Sequence, residues 1–169
     1  MQTTPWFNRR FNYPDENIIA PTLERLAGTP LRLIDKVSRV EDQLLIRRPT
    51  PDKWSIQEQV GHLLDLESLW QGRIDDILNG AEYLRSYDLS NGPTEAANHN
   101  AAELEDLLVN FTISRRQTLD VLAGLNEHQL FSAALHPRLQ QPLRTQDLAL
   151  FVADHDDHHL AKITELMQG

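Results

Sequence analysis

Apolar residues recur at spacings of three and four over long stretches of this chain, which is the period of an amphipathic helix. The clearest stretch follows Ser55. Its apolar positions are Ile56, Val60, Leu63, Trp70, Ile74 and Ile77. Ser55 and Glu58 form a capping box, in which each side chain satisfies a free backbone N–H group of the first turn. The sequence therefore predicts a helix that begins after Ser55 and ends near Asn79-Gly80.

The same pattern predicts three further long helices. The first covers about residues 15–40, and Gly28-Thr29-Pro30 predicts an interruption within it, since Gly ends helices and Pro starts them. Another covers about residues 100–123, and the last begins at Thr145 and continues to the C-terminus. No segment shows the period of two that is typical of strands. The pattern thus favours an all-α protein, a four-helix bundle.

Irregular segments separate these helices. Residues 1–14 are expected to form an irregular N-terminal arm and residues 15–169 a single bundle domain, because 169 residues suit one domain. The connections at 81–98 and 125–144 are long, and long loops in compact domains are usually functional. We expect substrate specificity to reside there. The side chains available include Tyr83, Tyr87 and Arg138.

Composition narrows the chemistry. The chain has no cysteine, so disulfides, a cysteine nucleophile and thiolate ligands are excluded, and any metal must be held by His, Asp or Glu. A net charge of −9 with no basic stripe argues against nucleic-acid binding. The arginine pairs are expected at the surface. They are Arg9-Arg10, Arg47-Arg48 and Arg115-Arg116. No signal-like or membrane-spanning apolar stretch is present, which predicts a cytoplasmic protein without membrane contact.

Two histidines stand at metal-ligand spacing on the last predicted helix. His155 and His159 are four residues apart, so their imidazoles project from one side of the helix, one turn apart. They continue an apolar stripe that should face the interior. The other members of the stripe are Leu148, Val152, Ile163 and Leu166. His158 is rotated away, to the edge or outside, and Asp156 replaces the glutamate that a zinc-protease motif requires.

His62 is the candidate third ligand. It lies on the capping-box helix, on the face that carries Glu58 and Leu66, and can meet the histidine pair across the bundle. Three imidazoles leave coordination positions open for water or substrate, which is typical of catalytic metal sites. The alternative is that the histidines only pack in the core, each with its own hydrogen-bond partner.

The remaining polar candidates are expected mainly at the surface. Asp65 could be an extra metal ligand or could accept a hydrogen bond from a ligand, but a surface position is favoured. His99 could approach a site at the end of the bundle. Glu67 falls at a core spacing for which the sequence supplies no partner. The other residues expected at the surface are Asp156, Asp157, His128 and His136.

Two segments resemble a known family. The runs Lys53-Trp54-Ser55-Ile56-Gln57-Glu58, Val60-Gly61-His62-Leu63 and Asp65-Leu66-Glu67 resemble the W-S-x-x-E-x-x-x-H-L-x-D-x-E segment of the DinB-like superfamily. The run from His155 to Ile163 resembles its C-terminal H-x-x-x-H motif. That superfamily includes metal-dependent hydrolases of the YfiT type and the bacillithiol- and mycothiol-dependent S-transferases. The resemblance extends from about Pro21 to Met167.

The resemblance implies an up-down-down-up four-helix bundle, a metal triad of His62, His155 and His159, and one divalent ion, which is nickel, zinc, iron or manganese in members of the family. It also implies a possible homodimer. Relatives in ergothioneine synthesis have a glutamate where this chain has Ala161, so their iron motif is incomplete here.

The leading functional hypothesis is a metal-dependent enzyme that transfers a low-molecular-weight thiol, such as bacillithiol or mycothiol, to an electrophile. A hydrolase that activates water at the same site is one alternative, because either ligand would lose a proton on the metal. A non-catalytic protein that binds a metal or small ligand is another. The expected partners are a small-molecule thiol and an electrophilic substrate, with no nucleic acid and no membrane.

Overall fold

The computed structural model describes residues 5–88, 90 and 92–168, so predictions for residues 1–4, Leu89, Asn91 and Gly169 lie outside the described residues. The α-helices are α1 (Ile19–Val37), α2 (Asp42–Leu45), α3 (Ile56–Leu78), α4 (Gly92–Ala97), α5 (Leu104–Ala123), α6 (Glu127–Phe131) and α7 (Thr145–Gln168). Two short strands, β1 (Ala133–Leu135) and β2 (Pro142–Arg144), form a hairpin, and Trp6–Asn8 and His99–Ala101 are single 3₁₀ turns.

The four long helices pack as a bundle in which α1 lies diagonally opposite α3, and α5 lies diagonally opposite α7. Helix α1 packs against α5 and α7, and so does α3. Contacts along each interface give the directions. Arg25 pairs with Asp154 and Lys36 donates to Thr164, so α1 and α7 are parallel.

The other two interfaces complete the topology. Arg115 donates to Glu67 and Gln71 donates to Thr118, so α3 and α5 are also parallel. Helix α3 runs antiparallel to α7, because Gln59 lies beside His159 whereas Trp70, further along α3, lies beside the earlier His155. The arrangement is therefore up-down-down-up, which confirms the expected four-helix bundle.

A buried ionic network lies in the middle of the bundle. The guanidinium of Arg115 is 1% exposed, donates to Glu67 at 2.6 Å and also pairs with Asp156. The hydroxyls of Thr118 and Thr29 donate to these two carboxylates at 2.7 and 2.8 Å. Arg115 and Asp156 were expected at the surface, and that prediction is wrong because the two charges neutralise each other inside. The network also supplies the missing partner of Glu67.

The network explains why α1 is continuous through Pro30. A proline in a helix cannot donate to the carbonyl four residues earlier, which is that of Leu26. That carbonyl accepts a hydrogen bond from Nη1 of Arg115 at 3.3 Å instead. The predicted interruption at 28–30 is therefore wrong, because a side chain from α5 replaces the hydrogen bond that the proline loses.

The connections contain more structure than their sequences predict. The capping box at Ser55 and Glu58 is present as predicted. The hairpin pairs Ala134 with Leu143 in antiparallel register, although no strand was predicted. Strands of three residues are too short to show an alternating pattern, which explains the difference.

The N-terminal arm packs on α7. Trp6 and Phe11 both contact the ring of Phe151, with centroids 5.1 and 4.9 Å away, and Arg9 donates to the carbonyl of Asp154. The arm thereby forms one wall of the cavity described below. Among the described residues, no helix combines the length and apolar character needed to cross a membrane.

Candidate metal centre

The fold brings His62, His155 and His159 together. One nitrogen from each ring lies within 4.8 Å of the others, and all three side chains are buried. The capping box places His62 in the second turn of α3, and the spacing of four places the other two rings one above the other on α7. The residues chosen from the sequence are thus the ones that converge.

The distances suit one divalent ion. The Nε2 atoms of His155 and His159 are 3.1 Å apart. Two nitrogens that each bind one zinc ion at about 2.0–2.1 Å lie roughly 3.0–3.4 Å from each other, depending on the angle at the metal. The ring of His62 completes the group, with centroid separations of 5.4 and 4.7 Å from His155 and His159. Three imidazoles form a donor set that suits zinc, nickel or iron.

Burial keeps the three rings neutral. It lowers the pKa of His62 to about 4 and holds the pKa values of His155 and His159 well below the usual value. The charge that each ring would carry also disfavours protonation of its neighbours. At neutral pH the rings therefore offer lone pairs, which is the state that binds a metal.

A chain of hydrogen bonds orients His62. Its Nδ1 lies 3.1 Å from the hydroxyl of Thr94, and that hydroxyl donates to Asp65 at 2.7 Å. Because Thr94 donates onwards, it accepts from Nδ1–H of His62, and Nε2 keeps its lone pair. His99 anchors the far end, since its Nε2 lies 2.9 Å from the same carboxylate oxygen of Asp65.

Gln59 orients His159 in the same way. Its side-chain oxygen accepts from Nδ1 of His159 at 2.6 Å, which leaves Nε2 as the ligand atom. His155 is held by packing, with the rings of Trp6 and Trp70 at 4.9 and 5.6 Å in edge-to-face geometry. Within the described part of the chain, Nδ1 of His155 is buried without a hydrogen-bond partner. Such outer contacts fix the tautomer and orientation of metal-binding histidines.

Several residues that the sequence places at the surface belong to the site or its cavity. Asp65 and His99 were expected outside, but the hydrogen-bond chain from His62 draws both inwards. His136 is buried as well, whereas His128 is exposed as predicted. The capping box points His62 inwards, but nothing in the sequence indicates that the segment after residue 91 folds back over α3.

A cavity of about 1270 Å³ opens beside the triad. Trp6, Trp54 and Trp70 form much of its apolar wall. The loop at 81–98 contributes Tyr87 and the loop at 125–144 contributes Arg138, whereas Tyr83 is 49% exposed and lies outside the lining. The lining also includes Arg47, Arg73, His136 and His158.

His158 lies at the edge of the buried face of α7, which agrees with its predicted place. It is half-buried and lines the cavity, with Trp6 5.6 Å from its ring. The arm that carries Trp6 covers this side of α7. The ring of His158 faces that of His159 at right angles and is not a member of the triad.

The family follows from this fold and site. A model of the DinB superfamily matches residues 25–163, and the chain belongs to that superfamily. The YfiT protein of Bacillus subtilis has a similar structure, with a TM-score of 0.79 and 23% identity over 93% of this chain and 92% of that one. It is described as a probable metal-dependent hydrolase with an unusual four-helix bundle topology.

Two other solved structures share the fold. The colibactin self-resistance protein ClbS, solved in complex with double-stranded DNA, matches with a TM-score of 0.68 and 11% identity over 92% of this chain and 99% of that one. The sibling lethal factor precursor DfsB matches with a TM-score of 0.66 and 21% identity over 89% and 95%. Among proteins with curated descriptions, none matches this chain by sequence.

Proposed function

We propose that His62, His155 and His159 hold one divalent metal ion and that the protein is an enzyme which uses it to activate a small nucleophile, a low-molecular-weight thiol above all. The observation that carries this proposal is the convergence of three neutral, buried imidazoles at the wall of a large cavity. A closed structural metal site would need a fourth protein ligand and would not open onto a cavity.

The bound ion would supply Lewis acidity, lowering the pKa of a thiol or a water that reaches it. The chain itself provides positioning. Gln59 and Thr94 hold their histidines in the tautomers that present Nε2 inwards, and three tryptophans make part of the cavity wall apolar. An apolar surrounding of low dielectric constant strengthens the attraction between an ion and an anionic nucleophile.

The size of the cavity favours thiol transfer over hydrolysis. A volume of about 1270 Å³ exceeds that of ordinary single-ligand pockets, which hold roughly 300–1,000 Å³, and so has room for a thiol together with an electrophile. The chain has no cysteine, so the thiol would have to come from a substrate. Hydrolysis remains the second candidate, and the likeness to YfiT, described as a probable metal-dependent hydrolase, favours it.

The test begins with untagged protein. Its metal content is measured as purified, after treatment with a chelator, and in the variant His62→Ala. We expect about one ion per chain in the wild type and far weaker retention in the variant, whose circular dichroism spectrum should be unchanged. A full complement of metal in His62→Ala would contradict the triad.

A second measurement separates the reactions. Metal-loaded protein is incubated with bacillithiol, mycothiol or glutathione together with an alkylating electrophile, and separately with simple esters. Buffer with the same free metal is the control. Turnover of a thiol supports transfer, whereas turnover of esters alone supports hydrolysis. If nothing is turned over faster than in the control although metal is bound, the protein is a binding protein and the enzymatic proposal fails.

The proposals about partners need their own tests. The net charge of −9 favours a protein that does not bind nucleic acid, yet ClbS, of similar fold, was solved with double-stranded DNA. Electrophoretic mobility of a DNA duplex with increasing protein, at stated salt, decides this point.

Sedimentation velocity decides whether the chain is a homodimer.

A further inference from the structure

We propose that the cavity contains a binding subsite for a small oxyanion, a carboxylate or phosphate, formed by Arg73, His136 and Arg138. The subsite lies towards the end of α3 that is remote from the triad, where the loop of the β1–β2 hairpin meets the helix. All three side chains line the cavity, and Arg73 and His136 are each only 3% exposed. Buried polar groups require partners, so their hydrogen bonds identify what is missing.

The hydrogen bonds of His136 assign its tautomer. Nδ1 accepts from the backbone N–H groups of Arg138 and Leu139, both at 3.2 Å. A ring nitrogen that accepts carries no proton, so a neutral His136 has its hydrogen on Nε2. Burial, with Arg73 and Arg138 nearby, lowers the pKa of His136 to about 4, and the ring is neutral at pH 7.

Two hydrogen-bond donors therefore face each other. Nη1 of Arg73 lies 3.3 Å from Nε2 of His136, and a guanidinium nitrogen cannot accept. The pair cannot satisfy itself in this protonation state. An oxygen atom that sits beside both N–H groups would satisfy them at once.

Arg73 also lacks a carboxylate partner. Its Nε donates to the carbonyl of Arg85 at 3.1 Å, and no carboxylate of the described residues lies within salt-bridge distance of it. Asp76 is the acid that acts on it, but both oxygens of Asp76 are already taken by Arg85, at 3.0 and 2.8 Å. Burial lowers the pKa of Arg73 to about 10, so the group stays charged at neutral pH.

Arg138 adds a second positive charge. Its guanidinium lies over the ring of Phe7 at 5.2 Å, and its side chain has no hydrogen bond to the part of the chain that is described. Two guanidiniums and an imidazole N–H thus surround one region of the cavity. Planar guanidiniums favour carboxylate and phosphate, which accept paired N–H groups.

The position of the subsite defines the class of ligand. The guanidinium of Arg73 lies 5.6 Å from the ring of Trp70, and that ring lies 5.6 Å from His155. Along α3, the backbones of His62 and Arg73 are about 16 Å apart at roughly 1.5 Å per residue. The ligand is therefore an extended small molecule with an anionic group remote from its reacting atom. This last step rests on the proposed function, whereas the anion site itself does not.

A purely structural role makes a different prediction. Arg73 and His136 could serve only to hold the hairpin loop against α3. In that case, variants would alter stability but free anions would not bind. Arg138 separates the two roles, because its half-buried side chain makes no hydrogen bond that the described fold depends on.

The test is calorimetric titration of the full chain with succinate and, separately, with inorganic phosphate. It uses the protein as purified and the protein after metal removal. Wild type is compared with Arg138→Gln, Arg73→Gln and a matched control, Arg47→Gln, which removes the same charge from the cavity lining near the start of α3. The imidazole N–H signal of His136 is followed by NMR in the same titrations.

We expect saturable binding of at least one anion with or without metal, weakened about tenfold or more by Arg138→Gln and less than about twofold by Arg47→Gln. The signal of His136 should shift with the same midpoint. The anion that binds more tightly identifies the class.

Three results would overturn the subsite. They are absence of saturation up to about 10 mM of either anion, equal weakening by Arg47→Gln, or binding that disappears with the metal. Loss of anion binding together with the metal would mean that the anion binds to the metal ion, which supports the triad and rejects the subsite. Conversely, metal-free protein that binds anions normally while the triad holds no metal would reject the proposed function and keep the subsite.

Discussion

The ring of His99 lies against the backbone of Gly61 so closely that a β-carbon on Gly61 would stand 2.2 Å from two of its atoms. Gly61 directly precedes His62 on α3, and His99 is the last member of the hydrogen-bond chain that begins at His62. The absence of a side chain at Gly61 thus allows the segment after α4 to pack against α3 beside His62. We expect Gly61 to influence the orientation of His62 through His99, Asp65 and Thr94.

Gly61→Ala should therefore weaken metal binding although every ligand remains. The added methyl group displaces His99 and loosens Asp65, and disruption of such outer contacts costs about 10- to 100-fold in metal affinity. The measurement is competition with a chromogenic chelator. Overpacking should also lower the free energy of unfolding by about 1–3 kcal/mol.

Gly28→Ala is the matched control. A β-carbon there would meet only Nε of Arg32 at an ordinary 3.8 Å. Within α1 the change should stabilise the fold by about 0.5–1 kcal/mol and leave metal affinity unaltered. Equal losses of affinity in the two variants would show that the effect of Gly61→Ala is general rather than transmitted through His99.

Thr94→Val tests the hydrogen bond to His62 itself. Valine has nearly the shape of threonine but offers no acceptor to Nδ1–H, so the ring can turn or change tautomer. We expect metal affinity to fall at least about tenfold. Thr112→Val is the control, because that hydroxyl bonds only within α5, to the carbonyl of Leu108. Unchanged metal affinity in Thr94→Val would show that the hydrogen bonds from His62 to Thr94 and Asp65 do not contribute to metal binding.

The sequence predicts the triad because helical periodicity is a local property. His155 and His159 share a face by spacing alone, and the capping box fixes the phase of α3 and hence of His62. The up-down-down-up topology, in contrast, came from the resemblance to a family. Periodicity says which face of a helix is buried, but it does not say which helix lies next to which.

The misplaced charged residues share one cause. Asp156 and Arg115 are buried because the fold gives each a partner of opposite charge far away in the chain. Sequence rules place polar groups outside because burial without a partner is unfavourable. Whether such a partner exists depends on the tertiary structure and cannot be inferred from the local sequence. The sequence therefore does not distinguish Arg115 from Arg116, although Arg115 is buried and Arg116 is exposed.

Those two neighbouring arginines provide a direct comparison. Arg115→Ala would leave Glu67 and Asp156 as buried carboxylates without their cation and the carbonyl of Leu26 without a donor. Removing one partner of a buried pair typically costs about 3–5 kcal/mol. Arg116→Ala breaks only an exposed pair with Asp120, worth about 0–1 kcal/mol. Urea unfolding measures the free energy of unfolding of both variants. A smaller loss of stability in Arg115→Ala than in Arg116→Ala would refute a structural role for the network.

The pH dependence of stability should carry the signature of His136. Burial lowers its pKa in the folded protein to about 4, against about 6.5 in an unfolded chain. Above pH 6.5 neither state is protonated and the full stability is present. As the pH falls from about 6.5 to 4, the unfolded chain takes up a proton that folded His136 does not, so stability decreases over that window.

His136→Asn should reduce this loss of stability by about 2 kcal/mol between pH 7 and pH 5, once its own effect at pH 7 is subtracted. Metal-free protein is used, so that release of an ion from the triad does not contribute. The variant His128→Asn, at an exposed position, should show the same dependence of stability on pH as the wild type. A saturating oxyanion should also flatten the slope in wild type but not in His136→Asn, because a negative charge beside the ring favours its protonated form. An identical slope in wild type and His136→Asn would show that this ring titrates normally and is not held neutral by the fold.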